Sequence, residues 1–156
     1  MNTILITGSS SGFGLETART FLDRGWSVIA TMRALREDLL PTSERLRLLQ
    51  LDVTNTDSIA KAVDEAGPVD VLVNNAGAGM MGALEGTSMA AARELFELNM
   101  FGPMALTQAL LPGFRAQRSG VIVNVSSAVT LKPLPLLSTY TASKAAVEAF
   151  SENLAI

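Results

Sequence analysis

The chain has 156 residues, a net charge of −3, 48% hydrophobic and 17% charged residues, and neither cysteine nor histidine. The length predicts one domain over residues 1–156, and the scattered basic residues leave no electrostatic footprint for nucleic acid or anionic lipid. Without cysteine and histidine, disulfides, thiolate or imidazole metal sites and serine–histidine triads are excluded, so acid–base chemistry must use carboxylates, lysine or tyrosine.

Membrane and export signals are also missing from the pattern. No stretch approaches 18 uninterrupted apolar residues, and the opening MNTILITG reaches glycine and serine too soon for the apolar core of a signal peptide. We therefore expect a cytoplasmic protein that has no membrane partner.

Short apolar runs alternate with helical patterns along the chain. Strands are predicted at 3–7, 26–31, 46–51, 69–74 and 121–126, and helices at 13–24, 56–66, 88–98, 103–117 and 139–156. Strands that are apolar at nearly every position, with helices between them, predict a parallel sheet covered on both faces. The expected fold is α/β, a doubly wound parallel sheet in three αβα layers.

Three helix ends carry specific signals. Asn55 and its threonine neighbours offer N-caps to the helix at 56–66, and Gly67-Pro68 ends it. Pro112 would remove a backbone hydrogen bond inside 103–117, so that helix is predicted to be kinked or to end early. The last helical pattern runs to Ile156 without a cap, which we interpret as the front portion of a longer protein or a record that ends early.

A glycine-rich stretch, TGSSSGFG, lies between the first strand and the first helix. In this place, a glycine turn lets the backbone approach a pyrophosphate, whose charge is favoured by the free N–H groups and dipole of the helix start. The spacing G-x-x-x-G-x-G matches the common dinucleotide fingerprint only loosely, so a flexible turn without a ligand is the alternative.

Polar residues follow two later strands. Asp52-Val53 ends the segment LLQLDVT, and Asn74, Asn75, Ala76 and Gly77 end VLVNNAG. In an open parallel sheet, ligands lie outside the carboxyl ends of the strands, where these residues would fall. Each alone is ordinary loop chemistry, such as an Asx turn or a helix cap, but their joint placement favours a dinucleotide site.

The end of the second strand, ATMRALRE, bears on the choice of dinucleotide. An acidic residue there binds the ribose hydroxyls of NAD, whereas a basic residue tolerates the phosphate of NADP. No carboxylate stands at Thr31 or Met32, and Arg33 follows at once. This favours NADP(H) over NAD(H), with a surface arginine on a loop as the alternative.

The stretch TYTASKAAVEAF holds the only tyrosine, Tyr140, four residues before Lys144. On a helix the two side chains share a face, and a nearby ammonium lowers the pKa of a phenol towards the range that acid–base catalysis needs. Ser126 and Ser127, at the end of VIVNVS, are placed to hold a substrate oxygen. In the alternative, Tyr140 caps a core edge and Lys144 is solvated and pairs with Glu148.

TGSSSGFG, LDVT, NNAG, ELNMFG, IVNVSS and YTASK, in this order, resemble the short-chain dehydrogenase/reductase family over the whole chain. The resemblance implies a Rossmann-type fold and an NAD(P)-dependent oxidoreductase acting on a carbonyl or alcohol. It implies Tyr140 as the general acid/base and Lys144 as the residue that lowers its pKa and binds the nicotinamide ribose. Ser127 would orient the substrate oxygen, and Asn99 would hold a water that links Lys144 to solvent.

The resemblance also implies a set of cofactor contacts. They are Gly8, Ser10, Ser11, Gly12, Phe13, Gly14, Arg33, Asp52, Val53, Asn75, Ala76 and Gly77, together with Tyr140 and Lys144. Family members continue through two further strands and a loop that closes over the substrate, which are absent from this sequence. The fold is therefore expected to be C-terminally incomplete.

Apolar residues around the expected pocket mouth suggest a lipophilic substrate, with core or interface packing as the alternative. They are Met80, Met81, Leu131, Leu134, Leu136 and Leu137. The resemblance implies a homodimer or homotetramer formed through the helices at 103–117 and 139–156. The alanines of the latter helix, Ala142, Ala145, Ala146 and Ala149, would alternatively be buried under the missing part. The competing function is dinucleotide binding without turnover, in a redox-sensing regulator or an inactive truncated product.

Overall fold

A computed structural model describes residues 2–154, in which five strands form one sheet. The strands are β1 (Thr3–Ile6), β2 (Ser27–Met32), β3 (Leu46–Gln50), β4 (Val71–Asn74) and β5 (Val121–Asn124). The helices are α1 (Gly12–Asp23), α2 (Thr56–Ala66), α3 (Met89–Phe96), α4 (Gly102–Gln117) and α5 (Ser138–Asn153).

The strand order is β3-β2-β1-β4-β5, and every neighbouring pair is parallel. The chain builds outward from β1 to β3 and then returns to the other side of β1, where Ile4 pairs with Val71. This reversal is the topological switch point of a doubly wound sheet, where the loops after β1 and β4 diverge and leave a crevice. The predicted fold class is confirmed.

Both faces of the three central strands, β2, β1 and β4, are buried, which explains their almost continuous apolar runs. Leu5, Ile29 and Leu72 pack in one cluster with residues of α2 and α4. Ile4 and Val28, on the opposite face, pack in a second cluster with residues of α1. Because the strands bury both sets of side chains, the sheet rigidly fixes the loops at its carboxyl edge.

The two helices predicted at 88–98 and 103–117 are in fact one. A π turn, Glu97–Phe101, joins α3 to α4 without a break. The predicted early end at Pro112 is also wrong, since α4 continues to Gln117. Pro112 and Gln108, whose carbonyl loses its usual donor, are both exposed, so water can replace the missing hydrogen bond.

Other boundaries differ by a few residues. Asn55 caps α2 as predicted, accepting from the Ser58 amide at 2.9 Å. Strand β5 ends at Asn124, so the two candidate serines lie in the following loop. Helix α5 ends at Asn153 instead of continuing, and residues 155 and 156 of the predicted helix lie outside the described residues.

Strand β5 forms the edge of the sheet within residues 2–154. It pairs with β4 alone, and Val121 and Val123 are about half exposed. No helix between residues 2 and 154 is long and apolar enough to cross a membrane.

Candidate active site

A cleft of about 680 Å³ opens at the carboxyl edge of the sheet. Segments at or directly after the ends of all five strands contribute to its wall, as expected for the switch point of a parallel sheet. The lining residues are Gly8, Ser10, Ser11, Phe13, Met32, Arg33, Leu51, Asp52, Val53, Asn75, Ala76, Gly77, Ala78, Gly79, Leu98, Val125, Ser126, Ser127, Ala128, Tyr140 and Lys144.

The cleft thus brings together most of the residues that the sequence singles out. Three predicted residues, Gly12, Gly14 and Asn99, do not line it. Met32, Leu98 and Val125 also line the cleft, and they could not be predicted from the sequence because an apolar or backbone contact leaves no chemical signature there.

The glycine loop is bent back on itself. Gly8 and Gly12 have φ values of 70° and 54°, in the left-handed region that favours glycine. A Cβ on Gly14 would collide with the carbonyl oxygen of Gly8 and with the side-chain amide of Asn75. Gly14 therefore does not line the cleft, but its missing side chain lets the start of α1 lie against the loop after β1.

The Asn75 turn is bound to the glycine loop. The Asn75 side chain donates to the carbonyl oxygens of Thr7 at 2.9 Å and Gly8 at 3.3 Å. The Thr7 hydroxyl oxygen accepts from the amides of Asn75 at 3.0 Å and Ala76 at 2.9 Å. Thr7 is buried and was missed by the sequence analysis, although a threonine at the end of a strand beside a glycine loop is a usable signal. The two loops form one rigid floor.

The start of α1 suits an anion. Ser11 precedes the helix, and its side chain makes no capping hydrogen bond. The N–H groups of the first turn therefore have no side-chain acceptor, and the helix dipole favours negative charge there. Ser10 and Ser11 are exposed in the cleft wall, as is the ring of Phe13. These groups fit the pyrophosphate of a dinucleotide.

Asp52 and Arg33 lie at the ends of neighbouring strands. Asp52 Oδ1 accepts from the Thr54 amide at 3.0 Å and the Thr54 hydroxyl at 2.7 Å. These bonds, and the charge of Arg33, lower the pKa of the Asp52 carboxyl. Arg33 is exposed and has no ion pair within residues 2–154, whereas the nearby Arg36 is paired with Asp38 at 2.8 Å.

Tyr140 is half-buried in the cleft wall, and Lys144 is buried one helical turn later. The Lys144 ammonium donates to the Val125 carbonyl at 2.8 Å, and burial lowers its pKa. The alternative of a solvated lysine that pairs with Glu148 is wrong. Gly77 lies beside this ammonium, since a Cβ there would lie 3.4 Å from Lys144 Nζ, and also only 3.0 Å from Asn99 Oδ1.

Asn99 lies in the π turn and is fully buried. Its amide nitrogen donates to the Ala78 carbonyl at 2.9 Å and the Ser143 hydroxyl at 3.0 Å, and its oxygen accepts from the Ala78 amide at 2.9 Å. Ser143 in turn donates to the Tyr140 carbonyl at 2.7 Å. Asn99 thus ties the turn after β4 to the helix of Tyr140. Because both hydrogens of the Asn99 side-chain amide are already donated, Asn99 can bind a water only by accepting a hydrogen bond through an oxygen.

The two candidate serines have different surroundings. The Ser126 hydroxyl donates to Glu148 Oε1 at 2.7 Å. The Ser127 oxygen accepts from the Val129 amide at 3.4 Å, and its hydroxyl hydrogen has no acceptor within residues 2–154. Ser127 is therefore the serine that can donate to a substrate oxygen.

Known proteins resemble this chain in sequence and in fold. A family model described as short chain dehydrogenase matches residues 2–156. Retinol dehydrogenase 8 of Bos taurus is 42% identical over 99% of this chain and 53% of its own. The 3-ketodihydrosphingosine reductase of Bacteroides thetaiotaomicron is 41% identical over 98% of this chain and 57% of its own.

A solved structure, the closed form of serine dehydrogenase complexed with NADP+, superposes with a TM-score of 0.90 at 33% identity. The match covers 97% of this chain and 64% of that one. The chain therefore spans little more than half the length of the curated relatives it matches. Family model, relatives and fold agree, and the chain belongs to the short chain dehydrogenase family.

Proposed function

We propose that the protein is an oxidoreductase that transfers a hydride between NADP(H) and a carbonyl or alcohol group of a lipophilic small molecule. One observation carries the proposal: a single cleft joins Ser127, Tyr140 and Lys144 to a glycine loop that fits a pyrophosphate. The residues present therefore match both halves of the reaction, dinucleotide binding and proton transfer to oxygen.

The nicotinamide supplies or accepts the hydride when the dinucleotide is bound. Tyr140 donates the proton to the substrate oxygen in reduction and accepts it in oxidation. The buried ammonium of Lys144 stabilises the phenolate of Tyr140, since an opposite charge nearby favours the charged form of an acid. The hydroxyl of Ser127 donates to the same substrate oxygen and holds it beside the phenol.

The preference for NADP(H) depends on Arg33. Its guanidinium is exposed at the end of β2 and lines the cleft. A guanidinium in this place forms charge-assisted hydrogen bonds to a phosphate on the adenine ribose. The similarity to a serine dehydrogenase that is complexed with NADP+ supports this choice.

The proposal of a lipophilic substrate depends on two loops beside the cleft. The amide of Gly82 donates to the Leu136 carbonyl at 2.9 Å, which joins the loop after β4 to the loop before α5. Met81, Leu131 and Leu136 are exposed, so these three do not serve as core. They do not line the cleft itself, and we place them where an apolar substrate enters it. The names of two similar relatives specify retinol and 3-ketodihydrosphingosine, which are both largely apolar molecules.

The proposal includes a cytoplasmic homodimer or homotetramer that binds neither nucleic acid nor membrane. Family members commonly pair through two helices that correspond to α4 and α5. Ala142, Ala145 and Ala149 are exposed on α5, and small exposed side chains permit close helix approach.

The test uses the full-length protein with NADPH and a panel of aldehydes and ketones that ranges from short polar to long apolar. Tyr140→Phe keeps the ring and removes the acidic hydroxyl. We expect turnover to fall by about 100-fold to 10,000-fold, while the affinity for NADPH, measured by fluorescence titration, stays the same. Equal turnover in the variant would contradict the proposal. Binding of NADPH without turnover of any substrate would favour the non-catalytic alternative.

A further inference from the structure

Glu148 is an acidic residue beside the candidate site that the proposed reaction does not use. It lies on α5, one turn after Lys144 and two turns after Tyr140. Within residues 2–154 it makes no ion pair. Its partners are hydroxyl groups from a different part of the chain.

Two hydroxyl groups donate to the same oxygen of Glu148. The Ser126 hydroxyl lies 2.7 Å from Oε1, and the Thr130 hydroxyl lies 2.6 Å from it. The hydrogen bonds from Ser126 and Thr130 lower the pKa of the Glu148 carboxyl. At neutral pH this group is therefore an ionised acceptor, and hydrogen bonds to an ionised acceptor are the stronger kind.

The two donors stand on either side of Ser127. Ser127 begins a single 3-10 turn, Ala128–Thr130, and its carbonyl accepts from the Thr130 amide at 3.2 Å. The Thr130 hydroxyl also lies 2.7 Å from this carbonyl, so its one hydrogen is shared between Ser127 and Glu148. The residue before Ser127 and the end of its turn are thus both fastened to one carboxylate.

We propose that Glu148 is a positioning residue, which holds Ser127 in register with Tyr140 by binding Ser126 and Thr130. The inference rests on the proposed function, in which Ser127 orients the substrate oxygen. Helix α5 would then fix all three groups, because it carries the phenol and the ammonium itself and holds the serine through the carboxylate. Without Glu148, Lys144 would still hold the loop at Val125, but the hydrogen bonds that join Ser126 and Thr130 to α5 would be lost.

The first measurement compares three variants of the full-length protein. Glu148→Ala removes the acceptor, Glu148→Gln keeps an acceptor oxygen of the same shape, and Glu152→Ala removes an exposed acid one turn further along the same helix. We expect Glu148→Ala to lower kcat by about tenfold to 100-fold, as for a misplaced catalytic group, with an unchanged Kd for NADPH. Glu148→Gln should recover most of the loss, and Glu152→Ala should match the wild type.

A double variant separates positioning of Ser127 from a general structural role. Ser127→Ala removes the hydroxyl that Glu148 is proposed to position. In that background, Glu148→Ala should reduce kcat no further, because effects of residues that act as a unit are not additive. If the two losses multiply, or if Glu148→Ala keeps full kcat, the proposal is overturned.

Hydrogen exchange tests the same contact without turnover. The amides of Val129, Thr130 and Leu131 are bonded within the turn that Ser127 begins. They should exchange at least about tenfold faster in Glu148→Ala than in Glu152→Ala, since the turn loses its anchor. Equal exchange rates would overturn the proposal. Wild-type protein without turnover would contradict the proposed function alone, and the exchange rates would still decide the role of Glu148.

Two further variants guard against a failure of Glu148→Ala to fold. Ser126→Ala and Thr130→Val each remove one donor and leave the carboxylate in place. Each should lower kcat by less than their combination does, and the combination should reproduce the effect of Glu148→Ala. Full kcat in the combined variant would overturn the proposal.

Discussion

The buried ammonium of Lys144 donates a hydrogen bond to the Val125 carbonyl, at 2.8 Å. This contact joins α5 to the loop after β5 at a point two residues before Ser127. The lysine is thereby oriented by the protein itself, with two of its three N–H groups left over. A preoriented ammonium loses little further side-chain freedom when it binds a ligand or stabilises a phenolate.

Replacement of Lys144 by methionine should change how stability depends on pH. Burial lowers the pKa of Lys144 in the folded state, so between that value and about 10.4 the unfolded chain binds more protons than the folded chain. The free energy of unfolding of the wild type should therefore rise with pH across this window, relative to that of Lys144→Met. Urea unfolding at stepped pH measures the difference.

The control for this prediction is Lys132→Met, which replaces an exposed lysine. Its stability should run parallel to that of the wild type over the same pH range. The prediction would be contradicted if the free energy of unfolding of the wild type, relative to that of Lys144→Met, stayed constant or fell as the pH rises.

Arg33→Ala should weaken the binding of NADPH and leave that of NADH unchanged. Charge-assisted hydrogen bonds to a phosphate contribute about 1.5–3 kcal/mol, or roughly tenfold to 150-fold in Kd. Arg36→Ala is the matched control, because Arg36 is already paired with Asp38. Fluorescence titration of the wild type and of both variants with each dinucleotide gives the six dissociation constants. Parallel losses for NADPH and NADH would remove the preference for NADP(H).

Gly14→Ala should destabilise the protein and weaken dinucleotide binding. The added methyl group would collide with the Gly8 carbonyl and the Asn75 side chain, which forces the glycine loop off the turn after β4. Overpacking of this kind costs about 1–3 kcal/mol. Gly113→Ala on α4 is the control, since nothing lies within 4 Å of a Cβ there. It should stabilise the helix by about 0.5–1 kcal/mol, and thermal unfolding distinguishes the two signs.

Asn99→Ala should lower the free energy of unfolding by about 1–3 kcal/mol, because it removes a partner of the buried Ser143 hydroxyl and both side-chain contacts to the backbone of Ala78. Asn153→Ala removes an exposed side chain from the end of α5 and should change stability by less than about 0.5 kcal/mol. Chemical denaturation of both variants is the measurement. Equal effects would show that the Asn99 contacts add nothing.

Much of this molecule follows from local sequence patterns. The apolar runs predict the parallel sheet, because strands buried on both faces need apolar side chains at nearly every position. The glycine loop is equally predictable from the sequence, because a strand, a turn and the start of a helix must follow one another there. Tyr140 and Lys144 could be paired because helical spacing alone places them on one face.

The rest depends on contacts between distant parts of the chain. The helical spacing of Lys144 and Glu148 suggests an ion pair, yet both side chains bind the loop after β5 instead. Lys144 donates to the Val125 carbonyl, and Glu148 accepts from two hydroxyl groups. The role of Thr7 depends on a turn 68 residues later in the chain. Nothing in ELNMF distinguishes a π turn from a helix end, because the difference lies in which carbonyl each amide reaches.

That π turn sets the rotation between the two halves of the long helix. One additional residue in a turn offsets everything after it by roughly 100° around the axis. The half before it contacts α5, and the half after it packs Leu106 against α2. Deleting a single residue there would turn one half of the helix away from its neighbour, so the packing of the core and the position of the candidate site both depend on the length of one backbone turn.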